Sequence, residues 1–123
     1  MDSGRIPGDI LDWRDKGLPP GCSVELADLG LQGWNVLAGD TSTPVAVLRE
    51  AALTSNLATM RGFCEEHGVA LAPHAKTHMS PQLVARQLAA GAWGLTAALP
   101  HQVAALLEFG VLRVLVANEI TDH

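Results

Sequence analysis

The sequence predicts an α/β fold in which short apolar strands alternate with helices. Three glycines, Gly68, Gly91 and Gly110, each follow a segment with apolar residues at helical spacing, and an apolar run follows each glycine. These strand-plus-helix units recur at intervals of roughly twenty residues, which is typical of parallel sheets covered by helices. With 123 residues, 48% of them hydrophobic and 17% charged, the chain is expected to build one core.

Charge and composition narrow the classes of function. The formal net charge is -5 and the basic residues are scattered, so we expect no nucleic-acid partner. No apolar run reaches the length of a membrane span, and the start Met-Asp-Ser-Gly lacks the pattern of a secretory signal. Cys22 and Cys64 form no CxxC pair, which favours free thiols without a metal role. We therefore expect a cytoplasmic protein with no membrane partner.

The chain divides into an irregular N-terminal arm, residues 1–42, and a regular region, residues 43–123. The arm is rich in glycine and proline and contains two tryptophans. We expect one short helix in it, around Ile10–Asp15. Its tryptophans need a surface to cover them.

The elements of the regular region follow from local signals. Pro44–Leu48 is β-branched and apolar, which predicts a strand with proline at its start. Helical spacing predicts a helix over Arg49–Glu66, and Val69–Ala72 reads as the next strand. We expect Phe63 to lie in the core.

Two more units follow. Ser80 and Pro81 are a helix start, and that helix should end at Ala90, before a strand over Trp93–Ala97. A third helix begins at Pro100, and a strand over Val111–Ala117 comes after it. The side chains expected in the core here are Trp93, Val103, Leu106 and Leu107.

A closed barrel of such units needs eight of them and roughly 250 residues. The predicted fold is therefore the N-terminal portion of a (β/α)8 TIM-type barrel, incomplete, with about three βα units. A small open sheet is the alternative. The strand near residue 117 has no following helix to cover it, which favours the partial barrel.

Lys76 is the leading functional candidate, because the segment that contains it, Pro73–His78, comes directly after the apolar run Val69–Ala72. Burying an ammonium is costly, and a desolvated amine is a good nucleophile toward carbonyl compounds. This pattern indicates an enzyme that forms a Schiff base through Lys76. The alternative places Lys76 in a polar loop that reaches water.

Four further polar residues are expected near Lys76. His74 lies two residues earlier on an extended chain and should point to the same side. His78 follows in the same segment, whereas Thr96 and Asn118 lie at the ends of the next two strands and should face the same mouth. Thr96 and Asn118 could equally bind loop backbone. The spacing of His74 and His78 also matches a zinc pair on a helix, but Pro73 and the preceding strand argue against a helix, so no metal site is predicted.

Four motifs resemble the start of the alanine-racemase-type barrel of pyridoxal-phosphate enzymes (fold type III). They are Pro-Val-Ala-Val-Leu-Arg at 44–49, Ala-Pro-His-Ala-Lys-Thr-His at 72–78, Gln-Leu-Ala-Ala-Gly-Ala-Trp-Gly-Leu-Thr at 87–96, and Val-Leu-Val-Ala-Asn at 114–118. Within that class the chain is most similar to the D-serine dehydratase, D-threonine aldolase and D-amino-acid deaminase group. Many relatives carry Thr-x-x-Glu where this chain reads Leu-Pro-His-Gln at 99–102, which looks more like the deaminases.

The resemblance implies pyridoxal 5'-phosphate as the cofactor, with Lys76 as its Schiff-base lysine. Cofactor contacts are expected from His74, His78, Thr96 and Asn118. The implied substrates are small β-hydroxy D-amino acids, with elimination or retro-aldol cleavage as the reaction. A racemase-type barrel, a catalytically inactive fragment and a module completed by a partner chain are the alternatives.

The group's phosphate cradle and divalent-metal ligands lie further along than these residues. We therefore expect little turnover by the 123 residues alone. A homodimer is a common form of the group and is expected for the full-length form.

Overall fold

The computed structural model describes residues 9–121, which fall into two compact units divided at Glu50. In the first unit, β1 (Ile10–Asp12) pairs antiparallel with β2 (Ser23–Glu25). Two 3-10 helices follow, at Leu26–Leu31 and Val36–Ala38. The described part of the arm, residues 9–42, thus contains a small hairpin followed by two 3-10 turns.

The prediction of a helix over Ile10–Asp15 is wrong, because the Asp12 side chain turns the backbone. Its carboxylate accepts the backbone N–H of Arg14 at 2.8 Å, and the Asp15 N–H donates to the Asp12 carbonyl at 2.8 Å. A short acidic side chain competes in this way with helical hydrogen bonding. Hydrogen bonds from the Arg14 side chain are the main reason that the pKa of Asp12 falls from 3.8 to about 2.

The prediction of a strand over Pro44–Leu48 is also wrong for the described unit. These residues have no strand partner within residues 9–49, and Val47 and Leu48 are exposed. A strand is held by its neighbour, and Pro44 cannot donate a ladder hydrogen bond. Nearby, Gly17 has φ +93° and leaves room for Val45, since a Cβ there would lie 2.8 Å from the Val45 Cγ2.

In the second unit, α1 spans Glu50–His67, which confirms the predicted helix. The Val69 N–H donates to the Cys64 carbonyl at 3.1 Å, just past Gly68 with its φ of +60°. No residue of α1 is buried, and its apolar side chains line a cavity of about 750 Å³. Within residues 9–121, no helix is long and apolar enough to cross a membrane.

Parallel hydrogen bonding joins three extended segments of this unit. The strands β3 (Leu95–Ala97) and β4 (Val114–Val116) pair with Leu95 opposite Val114. On the other side of β3, the segment 71–75 carries a parallel bridge between His74 and Thr96. The Trp93 N–H also donates to the Leu71 carbonyl, and the Thr96 N–H donates to the Pro73 carbonyl, both at 2.8 Å.

Two helices connect these segments. Helix α2 (Pro81–Ala89) begins as predicted, with the Ser80 hydroxyl accepting the Leu83 N–H at 3.4 Å. Helix α3 (Pro100–Glu108) joins β3 to β4. Together they bury a cluster of apolar side chains: Ala75, Val84, Leu95, Ala97, Leu106 and Val111.

Three side chains predicted for the core are exposed by half or more: Phe63, Trp93 and Leu107. Leu107 follows the buried Leu106, and one helical step turns it away from the cluster. The Arg113 guanidinium lies 5.4 Å from the centre of the Trp93 ring. Phe63 stacks on His67 with ring centres 4.1 Å apart.

Candidate functional site

The carboxyl ends of the parallel segments form the candidate site. The Ala75 N–H donates to the Thr96 carbonyl at 2.9 Å, and the Ala117 N–H donates to the Ala97 carbonyl at 2.9 Å. Lys76 and Asn118 therefore come immediately after the last hydrogen-bonded residues of their segments. This end of a parallel βα sheet is where such folds place functional groups.

Lys76 begins a tight turn that starts from a fully buried residue. Ala75 has no exposed surface, and its carbonyl accepts the N–H of His78 at 3.2 Å and that of Met79 at 2.9 Å. Lys76 is partly buried, whereas Thr77 is exposed. The turn thus fixes the backbone at Lys76, next to a residue of the buried cluster.

Thr96 holds the lysine segment in place. It is 1% exposed, and its hydroxyl donates to the Ala72 carbonyl at 2.7 Å. This bond joins β3 to the segment that carries Lys76. For Thr96 the sequence left two roles open, a cofactor contact or a hydrogen bond to loop backbone. The hydroxyl makes the backbone hydrogen bond.

The two histidines beside Lys76 differ in environment. His74 is exposed, and its backbone makes the bridge to Thr96. His78 is partly buried, with Nδ1 accepting the Ser80 N–H at 3.0 Å. Its Nε2 is buried and has no hydrogen-bond partner within residues 9–121.

Asn118 is exposed, and its side-chain oxygen accepts the N–H of Glu119 at 3.0 Å. In the part of the chain that the structure describes, no three His, Cys, Asp or Glu side chains are grouped to hold a metal ion.

Two residues at this end of the sheet were missed by the sequence reasoning. The Gln102 side-chain oxygen accepts the N–H of Ala98 at 2.9 Å and that of Leu99 at 3.2 Å, which ties down the turn after β3. A glutamine three residues after a helix cap position is a signal for this contact. Met79 has φ +44°, and no local signal predicts a left-handed methionine.

The fold and site define an α/β chain with a lysine presented at the carboxyl end of parallel strands. No family model matches the sequence. The chain is 36% identical over 78 residues to D-threonine aldolase from Arthrobacter sp., which covers 63% of this chain and 21% of that protein. It is 33% identical over 81 residues to D-threo-3-hydroxyaspartate dehydratase from Delftia sp. (strain HT23), covering 66% of this chain and 21% of that protein.

A solved structure agrees with these relatives. The crystal structure of D-threonine aldolase from Filomicrobium marinum matches with a TM-score of 0.65 and 34% identity, over 68% of this chain and 22% of that one. The chain spans about a fifth of the length of the curated relatives it matches. These proteins are homologues, and they confirm, over the matched part, the resemblance to the D-threonine aldolase and dehydratase group of alanine-racemase-type enzymes.

Proposed function

We propose that residues 43–118 form the lysine-bearing part of a pyridoxal-phosphate-dependent enzyme that acts on small β-hydroxy D-amino acids. The proposal includes the barrel: the segment 71–75, β3 and β4 would be neighbouring strands of a (β/α)8 fold. The observation that carries it is the position of Lys76, partly buried at the end of a segment in parallel register with β3. The homologues support the same class of chemistry.

The donors at the site fit this cofactor. Pyridoxal phosphate needs an amine to hold its aldehyde carbon and hydrogen-bond donors for its oxygens. Lys76 supplies the amine, and His78 supplies a buried ring nitrogen that has no hydrogen-bond partner among residues 9–121. When bound, the cofactor acts as an electron sink for a carbanion at the substrate α-carbon.

In this proposal Lys76 Nζ holds the cofactor covalently, gives it up to the substrate amine and then carries a proton to or from the substrate. Thr96 holds the segment of Lys76 in register through the Ala72 carbonyl. His74, His78 and Asn118 stand at the same end of the sheet and are the proposed cofactor contacts, whereas the buried Thr96 is proposed to hold the segment.

The proposed reactions are elimination of the β-hydroxyl after loss of the α-proton, or retro-aldol cleavage of the Cα–Cβ bond. One of the two relatives is named a dehydratase, which corresponds to the elimination, and the other is named an aldolase, which corresponds to the retro-aldol cleavage. The proposal also includes a divalent metal bound elsewhere in the full-length form, a homodimer, and a cytoplasmic location. The free thiols of Cys22 and Cys64 support a reducing compartment.

Reductive trapping tests the assignment of Lys76. The chain is incubated with pyridoxal phosphate, reduced with borohydride, and mapped by mass spectrometry. We expect the label on Lys76 rather than on Lys16, the only other lysine. Lys76→Arg is the matched variant: it keeps the charge and should lose the label. Equal labelling of both lysines would refute the assignment.

A further inference from the structure

The imidazole of His78 has a buried nitrogen, Nε2, whose hydrogen-bonding capacity is not satisfied by residues 9–121. Nε2 is shielded from solvent and has no hydrogen-bond partner within residues 9–121. A buried polar group without a partner typically costs about 1–3 kcal/mol, so native structures keep few of them without a reason. A ligand that completes the hydrogen bond is one such reason.

The other ring nitrogen identifies what kind of ligand atom is missing. Nδ1 accepts the backbone N–H of Ser80 at 3.0 Å. A backbone N–H can only donate, so Nδ1 presents its lone pair, and a neutral ring carries its proton on Nε2. The missing partner is therefore an acceptor such as an anionic or phenolic oxygen. A metal ion at Nε2 would require the opposite tautomer.

The hydrogen bond to Ser80 depends on an unusual backbone conformation at Met79. Its φ of +44° lies in the left-handed region, which costs a residue with a side chain about 1–2 kcal/mol. The Met79 side chain packs against the buried cluster, and its N–H donates to the Ala75 carbonyl at 2.9 Å. Met79 lies between His78 and Ser80 in the chain. Its packing and its hydrogen bond to Ala75 hold the backbone conformation that lets the His78 ring accept the Ser80 N–H.

Lys76 and His78 belong to the same turn, and both are partly buried while Thr77 between them is exposed. We infer that His78 donates a hydrogen bond from Nε2 to an oxygen of pyridoxal phosphate held at Lys76, and that Met79 is the positioning residue that fixes the required tautomer. This inference rests on the proposed function.

Cofactor affinity tests the donor. His78→Phe keeps a flat ring and removes the N–H, whereas His78→Gln places an amide N–H close to the position of Nε2. His67→Phe, at an exposed histidine of α1, is the control. A hydrogen bond to a charged oxygen is worth about 1.5–3 kcal/mol, so His78→Phe should weaken binding about 10- to 100-fold in an absorbance titration, with partial rescue in His78→Gln.

Two further measurements identify which cofactor oxygen accepts the hydrogen bond and separate a failure of this inference from a failure of the proposed function. Titration with pyridoxal shows whether the effect needs the phosphate: a loss with both compounds assigns the ring oxygen, and a loss with pyridoxal phosphate alone assigns the phosphate. In a Lys76→Ala background, noncovalent binding should still depend on His78. If Lys76 is labelled and His78→Phe binds as tightly as the wild type, the inference fails while the proposed function stands. If Lys76 is not labelled, the proposed function fails and the inference fails with it, even where His78→Phe weakens noncovalent binding.

Nitrogen-15 NMR of the imidazole tests Met79 without any cofactor. We expect the Nε2–H tautomer in the wild type and in Met79→Gly, because glycine adopts positive φ freely. Met79→Val should lose this tautomer preference, since a β-branched residue strongly disfavours the conformation. Ser80→Ala removes the helix cap but keeps the N–H, so it should leave the tautomer unchanged. Equal spectra for the Gly and Val variants would overturn the role of Met79.

Discussion

Replacing Thr96 with valine tests how the lysine segment is held. The substitution keeps the branched shape of a side chain that is 1% exposed and removes only the hydroxyl that donates to the Ala72 carbonyl at 2.7 Å. Valine cannot replace this donor, so the carbonyl loses a partner in a largely apolar setting. Leaving such an acceptor unpaired costs about 1–3 kcal/mol, and we expect a loss of this size in the free energy of unfolding.

Urea denaturation followed by circular dichroism measures the loss, with Thr96→Ser as the matched variant. Serine keeps the hydroxyl and loses one methyl group, which costs about 0.8 kcal/mol in burial. Amide exchange separates the two effects: the Trp93 and Thr96 N–H groups, which bind the segment 71–75, should exchange faster in Thr96→Val than in Thr96→Ser. A valine variant as stable as the wild type, with a weakened serine variant, would show that packing and not the hydrogen bond holds the segment.

Three further predictions concern the packing and charges of the two units. Gly94→Ala would place a Cβ 2.5 Å from the carbonyl oxygen of Arg113. Thermal melting should therefore show a loss of about 1–3 kcal/mol in the free energy of unfolding. Leu106→Ala should cost about 2–5 kcal/mol in chemical denaturation, whereas Leu107→Ala on the exposed face should stay within about 0.5 kcal/mol. Arg14→Met should return the pKa of Asp12 from about 2 toward 3.8 in an NMR titration. Because the pKa of Asp12 is lower in the folded state, the stabilisation from the Asp12–Arg14 pair is present above pH 3.8 and is lost as the pH falls toward 2. An Asp12 pKa that stays at the wild-type value in Arg14→Met would contradict this prediction.

The helices were predicted well because their ends are local events. Ser80 and Pro81 start α2, and Gly68 ends α1, each through its own conformational preference. The strands are shorter than their apolar runs: β3 occupies Leu95–Ala97, where the sequence predicted a longer strand. A parallel ladder needs partners from elsewhere in the chain, and an apolar run does not specify which of its residues will be paired.

The candidate site was predicted in part. The apolar run followed by Lys76 predicted a lysine at the end of an extended segment, and parallel strands predicted Thr96 and Asn118 at the same end. The conformation of Met79 could not be predicted, because it opposes the residue's own preference and is held by tertiary packing. The Asp12 turn was missed because a side chain that binds its own backbone overrides a short helical pattern.

The hydrogen bonds that hold the lysine segment also bear on how the chain folds. Leu71 binds Trp93, and Pro73 and Ala75 both bind Thr96, so every one of these bonds closes a loop that contains α2. Contacts between residues far apart in sequence form only after the entropy of loop closure has been overcome, whereas a helix forms locally within about a microsecond. The lysine segment should therefore become ordered late, after α2 has formed. A chain in which β3 is slow to dock would spend that interval with Lys76 on an unstructured segment.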